Sequence, residues 1–243
     1  MPSLAVSVGS VRNMSAPVIS IDGPVGSGKT TVGRVVADRH GFFCLDSGLF
    51  YRAAALVVLR SKIDLSDVRK VLGLVKSLEL KFISDGNSSD GIRVLHCGQD
   101  ITPVIHSSAV DSIVSDVSRA PEVRTHLVNA QRSFIRQGGV VAIGRDIGTV
   151  VWPQAELKIY LTASLEARAN RKWIQRREAG EAIEAEEVRT LLESRDHMDS
   201  TRAHAPLMAA EDAVRIDSSY SRPFEIADAI DKLLRERNLV REA

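Results

Sequence analysis

The segment GPVGSGKT, residues 23–30, restricts the fold more than any other part of the chain. It matches the phosphate-binding loop pattern G-x-x-x-x-G-K-[ST], in which successive backbone N–H groups turn inward around phosphate oxygens. An apolar stretch at 18–21 precedes the loop, and valines at helical spacing follow it within 31–40. Because such a loop lies between a strand and a helix N-terminus, the segment predicts a nucleoside triphosphate site in an α/β fold.

The side chains of this loop have separate predicted roles. Lys29 adds a mobile positive charge beside the phosphates, and the Thr30 hydroxyl can ligate Mg²⁺. The alternative is a glycine-rich turn with an idle surface lysine, but a chance match rarely falls between a strand and a helix. The residues predicted to bind the triphosphate are Gly23, Pro24, Val25, Gly26, Ser27, Gly28, Lys29, Thr30 and Thr31.

Composition and charge exclude several classes of protein. The formal net charge is +1 over 243 residues, so the chain as a whole offers no field for nucleic acid or a membrane surface. Cys44 and Cys97 lack metal-ligand spacing and predict a reducing compartment. Without a long apolar run or a signal-peptide pattern, the chain is expected to be cytoplasmic. Residues 1–16 are predicted to be a disordered lead-in, with Met14 as an alternative start.

Apolar strands alternate with amphipathic helices along the rest of the chain. Besides 18–21, core strands are expected at 42–45, within 138–146, at 157–161 and at 213–217. Helices are expected at 31–40, 49–59, 64–78, 107–119, 121–137, 165–178, 184–198 and 223–237. This alternation predicts a five-stranded parallel, doubly wound sheet, with ligands beyond the carboxyl ends of its strands. The strand-like segments LKFIS, GIRVLH and DITPVI predict a small antiparallel sheet inserted at about 79–105.

Charged residues cluster near the predicted ligand edge. The clusters are Ser47, Tyr51 and Arg52 after the second strand, Arg145 and Asp146 after the third, and Arg195, Asp199 and Arg202 at one-face spacing before the last strand. Taken singly, they also fit helix caps and solvated salt bridges. Together, arginines beside strands that point at a nucleotide site favour a second anion.

The helix at 165–178 is unusually basic. Its cations are Arg168, Arg171, Lys172, Arg176 and Arg177. Such a run is commonly a solvated helix face. In a protein with a phosphate-binding loop, it also fits a mobile lid that closes over transferring phosphates.

Five segments resemble, in order and spacing, the signatures of bacterial cytidylate kinases, which are nucleoside monophosphate kinases with a phosphate-binding loop. The segments are ISIDGPVGSGKTT, LDSGLFYR, GRDIGTVVWP, LKIYLTAS with the arginines after it, and RDHMDSTRAHAPL. The similarity runs from about Val18 to about Lys232, and the inserted sheet also matches that family. Trp152 stands where phenylalanine is more usual, and Thr30 replaces a frequent serine or glycine.

The resemblance implies a function and a set of residues. The reaction would move the γ-phosphate of ATP to CMP or dCMP, giving ADP and CDP or dCDP, in pyrimidine nucleotide metabolism. The implied CMP pocket is lined by Ser47, Tyr51, Arg52, Ser115, Arg124, Arg145, Asp146, Arg195, Asp199 and Arg202. Catalytic charge would come from Lys29, Arg145, Arg168 and Arg202. Cytosine would be met by Arg124, Ser115 and Asp146.

The resemblance also implies an organisation for the chain. A kinase core would occupy 17–243 and include a CMP-binding region at 47–137 and a lid at 165–184. We expect a monomer with small-molecule substrates, and neither a nucleic acid nor a membrane partner.

The arginines themselves, without the resemblance, also indicate what kind of group accepts the phosphate. A phosphate monoester is largely a dianion at pH 7, since its second pKa is about 6, and it needs no general base. A sugar or shikimate hydroxyl would need an aspartate base. Several arginines without an obvious base therefore favour an anionic acceptor.

Two alternatives stay open at this point. One is another small-molecule kinase of the same superfamily. The other is a GTP-binding switch, which acts by binding and needs a guanine-binding N-K-x-D. The sequence contains no such tetrapeptide, and its only D-x-x-G match, at 38–41, ends the first predicted helix.

Overall fold

A computed structural model of the protein describes residues 5–8 as backbone, and residues 15–85 and 91–240 with their side chains. The chain divides into two compact units. The core unit comprises residues 16–45 and 140–243, and the insert unit comprises residues 46–139 with the N-terminal segment.

The order of strands and helices follows the predicted alternation. In chain order the elements are β1 (Ala5–Val8), β2 (Val18–Asp22), α1 (Lys29–His40), β3 (Phe43–Asp46), α2 (Gly48–Ser61), α3 (Val68–Lys76), β4 (Glu79–Ser84), β5 (Ile92–His96), β6 (Gln99–Asp100), α4 (Thr102–Ile105), α5 (Ser108–Arg119), α6 (Pro121–Ile135), β7 (Val140–Gly144), a π-helix (Ile147–Val151), β8 (Leu157–Thr162), α7 (Leu165–Glu178), α8 (Ala185–Thr201), β9 (Val214–Asp217) and α9 (Pro223–Glu236).

The core unit contains a five-stranded parallel sheet, which confirms the prediction from the sequence. Among the described residues its strands pair in the order β3-β7-β2-β8-β9. β2 is central, and Ser20 lies opposite Ala142 of β7 and Lys158 of β8. Ile19 and Ile21 of β2 are fully buried among apolar residues of α1, β7, β8 and α9. This packing places the carboxyl end of β2, where the phosphate-binding loop begins, at the middle of the ligand edge.

The segment after β7 carries Arg145 and Asp146 and continues as a π-helix at Ile147–Val151. Trp152 donates its backbone N–H to the carbonyl of Ile147 at 2.7 Å, and Val151 donates to Asp146 at 3.0 Å. Both hydrogen bonds span five residues, one more than in an α-helix. Single π-turns are rare and often lie at functional sites, and one turn is too short to leave a periodic sequence pattern.

The insert unit contains the second sheet, in the order β1-β4-β5-β6 among the described residues. β4 and β5 are antiparallel, as predicted for the insertion. Phe50 of α2, Phe82 of β4 and Phe134 of α6 form a buried aromatic cluster, with ring centroids 4.8 and 5.6 Å apart in successive pairs. Helices and sheet of this unit therefore share one core.

Two predictions for the insert unit are wrong in part. The segment DITPVI was predicted as a strand, but α4 begins at Thr102 because Asp100 accepts its backbone N–H at 2.9 Å and Pro103 favours a first helical turn. Residues 5–8, predicted as disordered, form β1 and pair in parallel with β4. Two of those four residues are β-branched valines, which favour extended backbone. Met14 lies outside the described residues.

Candidate active site

The phosphate-binding loop joins β2 to α1 in the core unit. Gly23 begins it at φ +150°, and a Cβ there would lie 2.0 Å from the carbonyl oxygen of Leu161 on β8. Only glycine fits this close approach. Lys29 is buried and donates its Nζ to the carbonyl of Pro24 at 2.6 Å, with Ser27 Oγ at 3.4 Å. The ammonium group therefore lies inside the ring of backbone that the sequence predicts to surround phosphates.

Side chains of the loop itself and of two distant segments hold the loop backbone. Ser27 donates its Oγ to the carbonyl of Pro24 at 3.0 Å. Ser218, after β9, donates its Oγ to the carbonyl of Ser27 at 2.8 Å. Arg168 donates to the carbonyl of Val25 at 3.2 Å. Three separate hydrogen bonds thus fix the loop conformation.

The first cation of the basic helix is a buried residue. Arg168 also donates to the carbonyl of Ala163 at 3.1 Å and pairs with Asp196 of α8 at 2.7 Å. Arg171 contacts the backbone and hydroxyl of Ser218. Neither guanidinium lies on a solvated helix face. For Arg168 and Arg171, the interpretation of the basic run as a solvated face is therefore wrong.

The remaining cations of this helix make local contacts. Lys172 donates to Gln175 at 2.9 Å, and Arg176 lies 3.4 Å from Glu181. Arg177 packs over the ring of Trp173, 5.1 Å from its centroid. These side chains fit a partly solvated helix, and a lid at 165–184 stays a prediction.

A second cluster, the arginine–aspartate cluster, surrounds Asp199 in the same unit. Asp199 is 7% exposed and accepts the Nε of Arg145 at 3.0 Å. Arg195 lies 3.6 Å away, one helical turn earlier on α8, and Arg202 lies 4.0 Å away. Arg202 also lies 3.9 Å from Asp146. The structure therefore brings together all five core-unit residues that the sequence assigns to the acceptor.

The electrostatics of Asp199 follow from these contacts. Burial alone would raise the pKa of its carboxyl group, but the guanidinium groups of Arg145, Arg195 and Arg202 lower the pKa below its ordinary value. Asp199 is therefore ionised at neutral pH and orients the arginines. The cluster holds three guanidinium groups against two carboxylates, so it retains positive charge for an anion.

Asp22, the last residue of β2, was missed by the sequence analysis. It is 4% exposed and accepts backbone N–H groups from Ile147 at 2.9 Å and Gly148 at 2.7 Å. Burial raises its pKa to about 6; the two N–H groups and Lys29 oppose this rise, whereas Asp146 adds to it. A lone carboxylate at the end of an apolar strand, directly before the first loop glycine, is the sequence signal that could have identified it.

The other predicted acceptor residues lie in the insert unit. Arg124 of α6 is buried, with its guanidinium carbon 5.5 Å from the ring centroid of Tyr51 on α2. Arg52 donates to the carbonyl of Ile105 at 3.2 Å and pairs with Asp111 at 2.6 Å.

Two serines complete that set. Ser47 occupies the N-cap position of α2, but its side chain makes no capping hydrogen bond, so a cap does not explain it. Ser115 lies on α5, where its carbonyl accepts the hydroxyl of Ser118 at 2.9 Å. Their predicted contacts with cytidine monophosphate stay predictions.

The described part of the chain holds no group of three or more His, Cys, Asp or Glu side chains arranged to bind a metal. Among the same residues, no helix combines the length and apolar character that crossing a bilayer needs.

Comparison with known proteins agrees with this geometry. Residues 19–236 match the family model described as cytidylate kinase. A cytidylate kinase of Saccharophagus degradans is 43% identical over 91% of this chain and 98% of its own length. The protein of the same name from Desulfitobacterium hafniense is 42% identical, covering 90% of this chain and 93% of its own. That of Pelotomaculum thermopropionicum is 45% identical, covering 87% and 92%.

Proposed function

The chain belongs to the cytidylate kinase family, and we propose from this premise how the two clusters of its core unit divide the work of phosphoryl transfer. It transfers the γ-phosphate of ATP to CMP or dCMP and releases ADP with CDP or dCDP. In the proposal, the phosphate-binding loop holds the donor, and the arginine–aspartate cluster holds the phosphate of the acceptor.

The donor role of the loop is supported by its backbone and by Lys29. Hydrogen bonds from Ser27, Arg168 and Ser218 hold the loop backbone, so its N–H groups would need little reorganisation to meet phosphate oxygens. Lys29 would exchange its contact with the Pro24 carbonyl for the β- and γ-phosphates. Charge that develops during transfer would then be met by a buried ammonium group.

The acceptor role rests on one observation above the others, the buried Asp199 with its three arginines. Asp199 holds the guanidinium planes in place, and the excess positive charge suits a phosphate dianion. Such an acceptor is already ionised and attacks without a general base. Arg145 and Arg202 would thus position the nucleophile and stabilise the transferring group.

The residues present also fit Mg²⁺. Thr30, the second residue of α1, is half-buried and offers a hydroxyl oxygen, the hard ligand type that this ion prefers. Mg²⁺ commonly takes few protein ligands and completes its shell with phosphates and water. When bound, the ion would neutralise charge on the β- and γ-phosphates.

Several predictions of the sequence remain part of this proposal. They are contacts of the insert-unit residues with CMP, a role for Arg168 in transfer, a monomeric enzyme and a cytoplasmic location.

An acceptor panel tests the function. ADP release from Mg·ATP is measured with CMP, dCMP, UMP, AMP, GMP or shikimate, and without an acceptor. We expect fast release with CMP and dCMP and slow release otherwise. Equal rates with AMP or shikimate would overturn the assigned acceptor, and equal release without any acceptor would indicate a triphosphatase.

A further inference from the structure

Asp22 connects the phosphate-binding loop to the segment that carries Arg145 and Asp146. One of its carboxylate oxygens accepts the N–H of Ile147 and the other accepts the N–H of Gly148. From these contacts we infer that Asp22 is a positioning residue for the acceptor, because it fixes residues 145–148 against the start of the donor loop. This inference rests on the function proposed above.

An asparagine at position 22 could not make both hydrogen bonds that the Asp22 carboxylate makes. Both oxygens of Asp22 are used, at 2.9 and 2.7 Å, by donors that belong to consecutive peptide groups. An asparagine has one acceptor oxygen and one NH₂ group, so one backbone N–H would face another donor. The π-helix begins at these same two residues, so its first turn would shift and carry Asp146 with it.

The effect of Asp22 should fall on the acceptor side of the reaction. The donor loop has restraints of its own, from Ser218 to the carbonyl of Ser27 and from Arg168 to the carbonyl of Val25. Residues 145 and 146, in contrast, directly precede the two peptide groups that Asp22 binds. Loss of its carboxylate should therefore move the acceptor arginine more than the loop.

A purely structural role explains Asp22 poorly. Burial disfavours its ionised form, so at neutral pH the charge lowers the stability of the fold. The fit is also tight, because a Cβ on Gly148 would lie 3.4 Å from Asp22 Oδ2 and 2.9 Å from Ser20 Oγ. An uncharged side chain would avoid the cost of the buried charge, but it would not offer two acceptor oxygens to the N–H groups of Ile147 and Gly148.

Asp22→Asn tests the inference, with Ser20→Ala as a matched control. Ser20 lies two residues earlier on the same face of β2, is fully buried, and its hydroxyl has no hydrogen-bond partner among the described residues. The kcat and the KM values for CMP and ATP are measured near pH 8, together with the melting temperature. We expect Asp22→Asn to lose about 10- to 100-fold in kcat/KM for CMP, the usual effect of one charged hydrogen bond.

The pattern of the loss distinguishes positioning from packing. For Asp22→Asn the KM for ATP should change less than about threefold and the melting temperature should not fall, since one hydrogen bond is lost but a buried charge is removed. Ser20→Ala should keep wild-type kinetics. Equal losses with CMP and ATP, or kinetics like those of Ser20→Ala, would overturn the inference.

A second variant changes Gly148, whose N–H group donates to Asp22. In Gly148→Ala the new methyl group would lie 2.9 Å from Ser20 Oγ, 3.3 Å from Lys158 Cδ and 3.4 Å from Asp22 Oδ2, so the contact with Ser20 above all pushes the π-helix away. It should raise the KM for CMP selectively, and adding Ser20→Ala should restore part of the loss. If Asp22→Asn does not fold, an unchanged KM for CMP in Gly148→Ala overturns the inference. Failure of the proposed function would be distinguishable, because the wild-type protein itself would then show no CMP-dependent release of ADP.

Discussion

The phosphate-binding loop and the arginine–aspartate cluster belong to one unit but are built in opposite ways. The loop is eight consecutive residues whose backbone is proposed to bind the phosphates, with Gly23 fitted against the Leu161 carbonyl. The cluster is made of side-chain charges from two segments, and Arg145 and Asp199 are 54 residues apart in sequence. A contiguous site is determined by local spacing, whereas a dispersed site depends on the fold that brings its parts together.

This difference predicts different effects of mutation. In the proposal, Lys29 of the loop acts on charge that appears only during transfer, so its loss should reduce turnover. The arginines of the cluster are proposed to hold an acceptor that is charged from the start, so their loss should weaken its binding.

The largest effect is expected for Lys29→Ala. Turnover should fall by about 10³-fold or more while the protein stays folded, because a buried cation beside the transferring phosphate is lost. Steady-state kcat and a circular dichroism spectrum measure this, with Lys70→Ala as the control, since Lys70 is exposed and pairs with Asp67 three residues earlier. A variant that keeps more than about a tenth of wild-type turnover would remove Lys29 from the mechanism.

Arg202→Ala should have the next largest effect. Loss of one charge-assisted contact to the acceptor phosphate should raise the KM for CMP by roughly 30- to 1000-fold and leave the KM for ATP nearly unchanged. Arg119→Ala is the control, because Arg119 is exposed and pairs with Asp116 within α5. An equal rise in both KM values would place Arg202 on the donor side.

Asp146→Asn tests whether the cluster also recognises the base. If Asp146 accepts the cytosine amino group, the variant should lose CMP use and narrow the CMP to UMP ratio of kcat/KM by about 10- to 100-fold. Its position 3.9 Å from Arg202 also fits a role that only shapes the cluster. In that case kcat/KM would fall for both CMP and UMP, and their ratio would not change. Asp116→Asn serves as the control.

The smallest expected effect concerns the pH dependence of stability. The pKa of Asp22 is raised to about 6, so the folded state holds this proton more tightly than the unfolded state. Its contribution to stability is complete below about pH 4 and is lost as pH rises to about 6. The unfolding free energy of Asp22→Asn relative to wild type should therefore increase over this range and then level off. Denaturant unfolding at a series of pH values measures it; a constant difference would mean that the pKa of Asp22 is not raised.

The sequence predicted the contiguous features well. The loop, the five core strands and the basic helix at Leu165–Glu178 depend on local spacing and apolar periodicity, and these are visible without the fold. The composition of the arginine–aspartate cluster was also predictable in part, because Arg195, Asp199 and Arg202 repeat at helical spacing.

Features that depend on distant partners were not predictable. The position of Asp22 before the first loop glycine is visible in the sequence, but its partners are peptide groups 125 and 126 residues away that nothing in its neighbourhood specifies. The burial of Arg168 likewise depends on the Val25 carbonyl and on Asp196, so a local view shows only a charged helix. The pairing of residues 5–8 required the edge of β4, which lies far along the chain.

Calorimetric titration of CMP without ATP tests the division between donor loop and acceptor cluster most directly. Wild type, Lys29→Ala and Arg202→Ala are compared under one condition. The account predicts that Lys29→Ala binds CMP with a Kd within about threefold of wild type, whereas Arg202→Ala binds it at least about 30-fold more weakly. Equal weakening in both variants, or unchanged binding in Arg202→Ala, would contradict it.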